Sequence, residues 1–266
     1  MSFLLAASLL AQAAGSAPPP ADLVDIVDAM AEERGDLTPV LVLGTSHLSS
    51  LPKDFPTERF DPLLDELEEW APEAIAIEGI EGVQCDNLRM FDPGNANSYC
   101  PDPEPARAAL GVSMRDAQFG VMDLLAKPAD QRTIAERRRL VGLFLAIGEP
   151  ESALVQWLRL PEGERTAGDD LPAELVAFLE KYDTRLNENV VIAVRLAVRL
   201  GLDRVDRVDD QMSGSDPKDA EAYGPEISAI WDNAPTKQRL AEYQEWDAAM
   251  EDGSMPILEW YRRYNS

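Results

Sequence analysis

The chain has 266 residues, of which 49 are acidic and 24 are basic, and its formal net charge is −25 at pH 7. Proteins that bind DNA or RNA neutralise phosphates with clustered Lys and Arg, so this charge argues against nucleic acid as a partner and disfavours adsorption to anionic membranes. The composition, 45% hydrophobic and 27% charged, is otherwise typical of a globular protein.

The chain begins with an uncharged apolar run over residues 3–14, and no charged residue occurs before Asp22. The run is too short to cross a membrane, because a spanning helix needs about 20 apolar residues. Small residues and then three prolines follow it, which is the pattern of a secretory signal peptide. We predict a signal peptide over residues 1–17, a Pro-rich linker over 18–22, and an exported protein, periplasmic or secreted, with no membrane span after cleavage.

The remaining residues, 23–266, have the pattern of a single α/β domain. Helical spacing of apolar residues predicts a first helix that ends at Gly35. Branched apolar residues over 39–43 predict a strand buried on both faces, residues 61–70 predict a helix, and residues 74–77 predict a second strand. A strand, a helix and a strand in this order form a right-handed βαβ unit with parallel strands.

After residue 103 the sequence is mostly helical, and Pro and Gly residues separate the predicted segments. The predicted helices cover residues 105–126, 130–147, 151–160, 172–182, 186–200, 218–250 and 257–264. A third strand is predicted over residues 204–208. The predicted fold is therefore α/β, with a mostly parallel sheet and a large helical insertion between the second and third strands.

The two cysteines, Cys85 and Cys100, enclose a polar stretch rich in Gly, Asn and Pro in which no helix or strand is predicted. Disulfides form in oxidising compartments, and one that closes a loop of this length is worth about 3 kcal/mol. We therefore predict that Cys85 and Cys100 are bonded in the exported protein.

Polar side chains follow the predicted strands, at the edge where open parallel sheets bind ligands. They are Gly44, Thr45, Ser46 and His47 after the first strand, Glu78 after the second, and Asp209 and Asp210 after the third. An imidazole and carboxylates suit a divalent metal with one open position. His47, Glu78 and Asp209 are thus the candidate catalytic residues, His47 and Glu78 the candidate metal ligands, and the others candidate ligand-binding residues.

Each of these residues also has a structural interpretation. A lone histidine in a turn forms backbone hydrogen bonds in many proteins, and a glutamate at a strand end caps turns. Asp209 and Asp210 fit equally well in a solvated loop of so acidic a chain. Spacing alone leaves both interpretations open.

Two motifs, GTSHLSS after the first predicted strand and AIAIEG at the second, resemble those of the TraB/Tiki-like superfamily, which includes erythromycin-esterase-like and haem-binding ChaN-like proteins. The chain is most similar to a group of uncharacterised bacterial proteins there, with G-T-x-H and I-A-x-E motifs. The later stretch NENVVIAVRLAVRLGLDRVDRVDDQ is similar to a helix-strand-Asp element of that group. The resemblance implies a site built from His47 and Glu78, with Asn187, Glu188 and Asp209 as further members.

The leading hypothesis is an exported metal-dependent hydrolase that acts on an unidentified small molecule or peptide. The superfamily usually carries a second G-x-x-H element on a late strand, whereas His47 is the only histidine and the sequence stops at Ser266. Either the domain lacks its last strand or half of the site is lost. The alternative hypothesis is a protein that binds haem, iron or another ligand without catalysis, or an inactive relative. A third is an interaction protein whose acidic surface meets a cationic partner.

Overall fold

The computed structural model describes residues 23–35, 38–168, 171–210 and 217–266. The predicted signal peptide, 1–17, and the linker, 18–22, lie outside these described residues. The chain divides into two compact units, Met1–Leu43 and Gly44–Ser266, and each is described by itself. In the described part of the chain, no helix is long and apolar enough to cross a membrane.

The first unit contains helix α1, Leu23–Arg34. Gly35 ends it as predicted, in a left-handed conformation with φ of 92° that glycine adopts readily. The predicted first strand over residues 39–43 is wrong, because these residues form no strand. Val40 and Val42 are 79% and 85% exposed, so the run is not buried on both faces. An apolar run becomes a strand only where a neighbouring strand pairs with it, and composition does not report that neighbour.

The second unit is mostly helical. Its helices are α2, Asp61–Trp70; α3, Gly82–Phe91; α4, Pro93–Tyr99; α5, Glu104–Leu110; α6, Met114–Ala126; α7, Ile134–Ile147; α8, Pro150–Leu158; α9, Ala173–Asp183; α10, Arg195–Leu200; α11, Pro217–Trp231; α12, Ala234–Glu251; and α13, Ile257–Tyr264. A π-helical segment, Asn189–Val194, leads directly into α10. The predicted segments thus correspond to helices, although several predicted segments are divided into two.

The sheet has two strands, β1, Ala76–Ile80, and β2, Asp206–Asp209, which pair in parallel. The strands lie about two residues later than predicted, so Glu78 lies within β1 and Asp209 is the last residue of β2. All helices from α3 to α10 come between the two strands in the chain. The described residues therefore form a mixed α/β unit in which helices dominate, rather than the predicted larger sheet.

Capping residues set the starts of the helices α6 and α7. Ser113 and Thr133 accept hydrogen bonds from the amides of Asp116 and Glu136, three residues later. The two carboxylates accept in return from the amides of Ser113 and Thr133. Each pair is a capping box, which satisfies amides that have no partner inside the helix.

The stretch between the cysteines is helical, contrary to the prediction of an irregular loop, since it contains the later part of α3 and all of α4. Its Gly, Asn and Ser residues are weak helix formers, and packing overrides their preference. Cys85, Leu88 and Ala96 form a small buried apolar cluster with Ile80 of β1. The predicted disulfide is confirmed: Cys85 and Cys100 are bonded, with Cα atoms 5.6 Å apart.

The main core is built around α7 and α8, whose side chains Leu140, Phe144 and Leu154 are fully buried. A partly buried ion-pair network ties the segment before β2 to this core. Asp203 accepts hydrogen bonds from both terminal nitrogens of Arg132 and from Arg159, each at 2.7 Å. Because two guanidinium groups share one carboxylate, the chain entering β2 is fixed against the helices.

Gly82, the first residue of α3, lies very close to the end of α7. A Cβ atom on Gly82 would lie 1.8 Å from the carbonyl oxygen of Ile147. The variant Gly82→Ala therefore forces backbone to move, and we expect it to lower the free energy of unfolding by about 3 kcal/mol. Gly163→Ala is the control, because a Cβ there meets no atom within 4 Å. Urea unfolding measures both, and equal stabilities would contradict the close approach.

Candidate functional site

A cavity of about 1010 Å³ lies where β1 and β2 meet α8, α9 and the turn that follows α9. Its wall contains five of the predicted site residues: His47, Glu78, Asn187, Glu188 and Asp209. The other four, Gly44, Thr45, Ser46 and Asp210, are described but do not belong to the wall. The fold therefore brings together residues that are up to 162 positions apart in the chain.

His47 is held by the carboxylate of Glu188. Its Nδ1 lies 3.0 Å from Oε1 of Glu188, and the other carboxylate oxygen accepts a hydrogen bond from the amide of Leu48 at 3.2 Å. Since an ionised carboxylate only accepts, Nδ1 of His47 carries a proton and Nε2 of the neutral ring holds the lone pair. The side chain of His47 is 80% exposed, so the ring is accessible from solvent.

Asn265, which follows α13, fixes the backbone before His47. Its Oδ1 accepts from the amide of Gly44 at 2.6 Å, and its Nδ2 donates to the carbonyl oxygens of Gly44 and Tyr261 at 3.0 and 2.9 Å. A Cβ on Gly44 would lie 2.9 Å from that Oδ1, which is too close. A larger residue than Gly44 would therefore displace the Asn265 side chain, which is the contact observed at Gly44.

Glu188 comes from the turn between α9 and the π-helical segment. Oδ1 of Asn187 accepts from the amide of Val190 at 2.9 Å, and Nδ2 of Asn189 donates to the carbonyl oxygen of Glu78 at 3.1 Å. π-helical turns are rare and occur frequently at functional sites. The first hydrogen bond closes the turn and the second fixes it against β1, which places Glu188 beside His47.

The pKa of His47 is raised above its ordinary value of 6.5. The largest cause is the hydrogen bond to Glu188, followed by the charge of that carboxylate, and Glu78 adds a smaller charge effect. Slight burial of the ring opposes the shift. His47 therefore holds a second proton to a higher pH than a free histidine, and becomes a base as the pH rises through its raised pKa.

A buried ion pair forms another part of the wall. Glu151 is 2% exposed, and its oxygens accept from Nε and Nη2 of Arg207 at 3.0 and 3.2 Å. The hydroxyl of Tyr182 donates to Oε1 of Glu151 at 2.7 Å, and Nη1 of Arg207 donates to the carbonyl oxygen of Ile80 at 3.0 Å. Burial, followed by the charge of Glu151, raises the pKa of Tyr182, so its hydroxyl remains protonated.

Aromatic rings form the wall on the side of α9. The rings of Phe178 and Tyr182 stack with centroids 5.5 Å apart, and the guanidinium carbon of Arg185 lies 4.4 Å from the centroid of Tyr182. Glu151, Tyr182, Arg185 and Arg207 are not among the predicted site residues. The only sequence signal was their position at the ends of predicted segments, and nothing in that position pairs residues 31 or 56 positions apart.

The divalent metal predicted at His47 and Glu78 stays a prediction. In the described part of the chain, no group of three or more His, Cys, Asp and Glu residues is arranged to hold an ion. Protein metal sites that keep an open position typically use three such ligands. His47 and Glu78 line one cavity, and because Glu188 engages Nδ1 of His47, Nε2 is the ring nitrogen left to ligate an ion. The contact that the described residues do show at this wall is the one between His47 and Glu188.

No protein-family model, curated protein or solved structure matches this chain. The resemblance to the TraB/Tiki-like superfamily accordingly rests on the GTSHLSS and AIAIEG motifs. The function has to be inferred from the geometry of the cavity and its side chains.

His47 is the only histidine, so its imidazole signals identify it directly in an NMR titration. We expect a pKa above 6.5, and we expect Glu188→Gln to lower it because the variant removes the charged acceptor of the hydrogen bond. Glu78→Gln is the control, since it removes a charge with a smaller effect and should lower the pKa less. Identical titrations of the wild type and Glu188→Gln would contradict the contact.

Proposed function

We propose that the protein is an exported hydrolase in which His47, oriented by Glu188, is the general base that activates water. The observation that carries this proposal is the 3.0 Å contact between Nδ1 of His47 and Oε1 of Glu188 in the wall of a cavity. A carboxylate that accepts from Nδ1 fixes the tautomer in which Nε2 takes a proton, and it stabilises the imidazolium that results. We also propose that the protein is a member of the TraB/Tiki-like superfamily.

The reaction follows from these roles. Nε2 of neutral His47 accepts a proton from water while the water oxygen forms a bond to the acyl carbon of an ester or amide. The bond from that carbon to the leaving oxygen or nitrogen then breaks, and the imidazolium returns the proton to the leaving group. Water is consumed, and the products are an acid and an alcohol or amine. Glu188 offsets the positive charge of the ring between the two steps.

The size of the cavity and the disulfide support the remaining parts of the proposal. A volume of about 1010 Å³ is at the upper end for small-molecule sites, so the substrate is a small molecule or a short peptide. Cys100 belongs to the wall of the cavity and is bonded to Cys85. Because such bonds persist in oxidising compartments, a disulfide at the site fits a periplasmic or secreted enzyme.

Hydrolysis of 4-nitrophenyl acetate tests the proposal. His47→Gln should lower kcat/KM by at least about 100-fold, because general-base catalysis contributes a factor of this size. Glu188→Gln should cause a smaller loss, and the wild-type rate should rise with pH through the raised pKa of His47. Glu174→Gln is the control, because Glu174 lies in the same wall and takes no part in the mechanism. Activity that survives in His47→Gln would refute the role of His47.

A second candidate function is a binding protein for haem or iron. It is favoured by one observation: a single imidazole, held by a carboxylate, in the wall of a large cavity. Haem titration of the wild type should then shift the Soret band, and His47→Gln should abolish the shift. Metal analysis of the two purified proteins tests the metal-dependent form of the hydrolase, which requires more bound metal in the wild type. Equal metal content and no Soret shift would leave only the general-base mechanism.

A further inference from the structure

The wall of the cavity is strongly acidic. Its carboxylates are Glu78, Asp102, Glu151, Glu174, Glu188 and Asp209, and its guanidinium groups are Arg185 and Arg207. Negative charge develops on the carbonyl oxygen when water attacks an ester or amide, and enzymes place hydrogen-bond donors or cations at that oxygen. Carboxylates nearby raise the energy of the same charge. A hydrolase with this wall therefore needs a positive group that is free to contact the substrate.

Arg207 does not meet this requirement. Its Nε and Nη2 donate to Glu151, and its Nη1 donates to the carbonyl oxygen of Ile80. Its side chain is 7% exposed. The charge of Arg207 is thus balanced by a buried carboxylate, and its donors face protein groups on three sides. A substrate carbonyl has no access to them.

In the part of the chain that the structure describes, Arg185, in contrast to Arg207, is not balanced by a buried carboxylate. Within the described residues its guanidinium has no carboxylate partner, although the chain has twice as many acidic as basic residues. The guanidinium lies over the ring of Tyr182, and the amide of Arg185 donates to the carbonyl oxygen of Tyr182 at 3.1 Å. Tyr182 is itself held by Glu151 through its hydroxyl. A planar guanidinium that rests on a fixed ring is oriented in advance, with its N–H groups unused.

Arg185 also lies close in the chain to Glu188, which orients His47. It precedes Glu188 by three residues, in the turn that places Glu188 beside His47, and all three residues line one cavity. We propose that Arg185 is a catalytic residue of the proposed hydrolase, whose guanidinium donates hydrogen bonds to the substrate carbonyl oxygen as that oxygen becomes negative. This inference rests on the proposed function, because it needs the reaction that His47 starts.

Steady-state kinetics on 4-nitrophenyl acetate test the role of Arg185. Arg185→Gln should lower kcat by about 100-fold, as the loss of one oxyanion donor does in other hydrolases. The KM should change by less than about 2-fold, because the contact forms in the transition state. Arg185→Lys should retain part of the rate, and added guanidinium ion should partly restore Arg185→Gln without restoring His47→Gln.

Arg115→Gln is the matched control. Arg115 is likewise exposed and stacked on an aromatic ring, that of Phe119 at 5.6 Å, but it does not line the cavity. Its variant should keep wild-type kinetics. Wild-type kcat in Arg185→Gln, or a raised KM at unchanged kcat, overturns the inference while the proposed function stands. An inactive wild type overturns both. Thermal unfolding of each variant shows whether a lost rate reflects a lost fold. If Arg185→Gln does not fold, Arg185→Lys decides: a kcat between those of the wild type and His47→Gln supports the inference, and a wild-type kcat overturns it.

Discussion

The buried ion pair between Glu151 and Arg207 is the interaction on which the arrangement of the second unit depends. A two-stranded sheet is marginal by itself, because few backbone hydrogen bonds hold it and both edges are open. Arg207 of β2 reaches Glu151 of α8 and the carbonyl oxygen of Ile80 in β1, and Tyr182 of α9 donates to the same glutamate. One buried carboxylate thus fixes both strands against two helices. The loss of one partner in such a pair typically costs about 3–5 kcal/mol, since the other charge is left uncompensated.

The position of the cavity wall depends on this ion pair. Because the strands are fixed against α8 and α9, the side chains of Glu78 and Asp209 and the turn around Glu188 belong to one wall. His47 is brought to that wall by contacts at two points, the Asn265 side chain on Gly44 and the Glu188 carboxylate on the ring. The accessible groups of the site are therefore supported by buried, hydrogen-bonded side chains such as Glu151 and Arg207, as a site with fixed geometry requires.

The elements whose predicted bounds agree with the structure are those with local sequence signals. The bounds of α2 and α13 follow from proline positions and apolar spacing, and both helices agree with the predicted ranges. The stretch between Cys85 and Cys100 was predicted as irregular because its helices depend on packing against Ile80 rather than on composition. The apolar run of residues 39–43 was predicted as a strand because nothing in it reports whether a partner strand is present. His47 and Glu78 were predicted as site residues because they follow predicted strands. The Glu151–Arg207 pair links residues 56 positions apart and leaves no local pattern in the sequence.

The acidity of the chain has two opposed effects on the chemistry available to it. Carboxylates near His47 raise its pKa, which makes the imidazole a stronger base once it is neutral. The same charges raise the energy of any negative charge that forms on a substrate in the cavity. A stronger base therefore speeds the reaction only if a nearby cation lowers the energy of the negative charge that forms on the substrate. Glu151 already balances the charge of Arg207, so Arg207 does not supply this cation. Among the described residues of the wall, Arg185 has a guanidinium that no carboxylate pairs, and its stacking on Tyr182 holds it in place without an acidic partner.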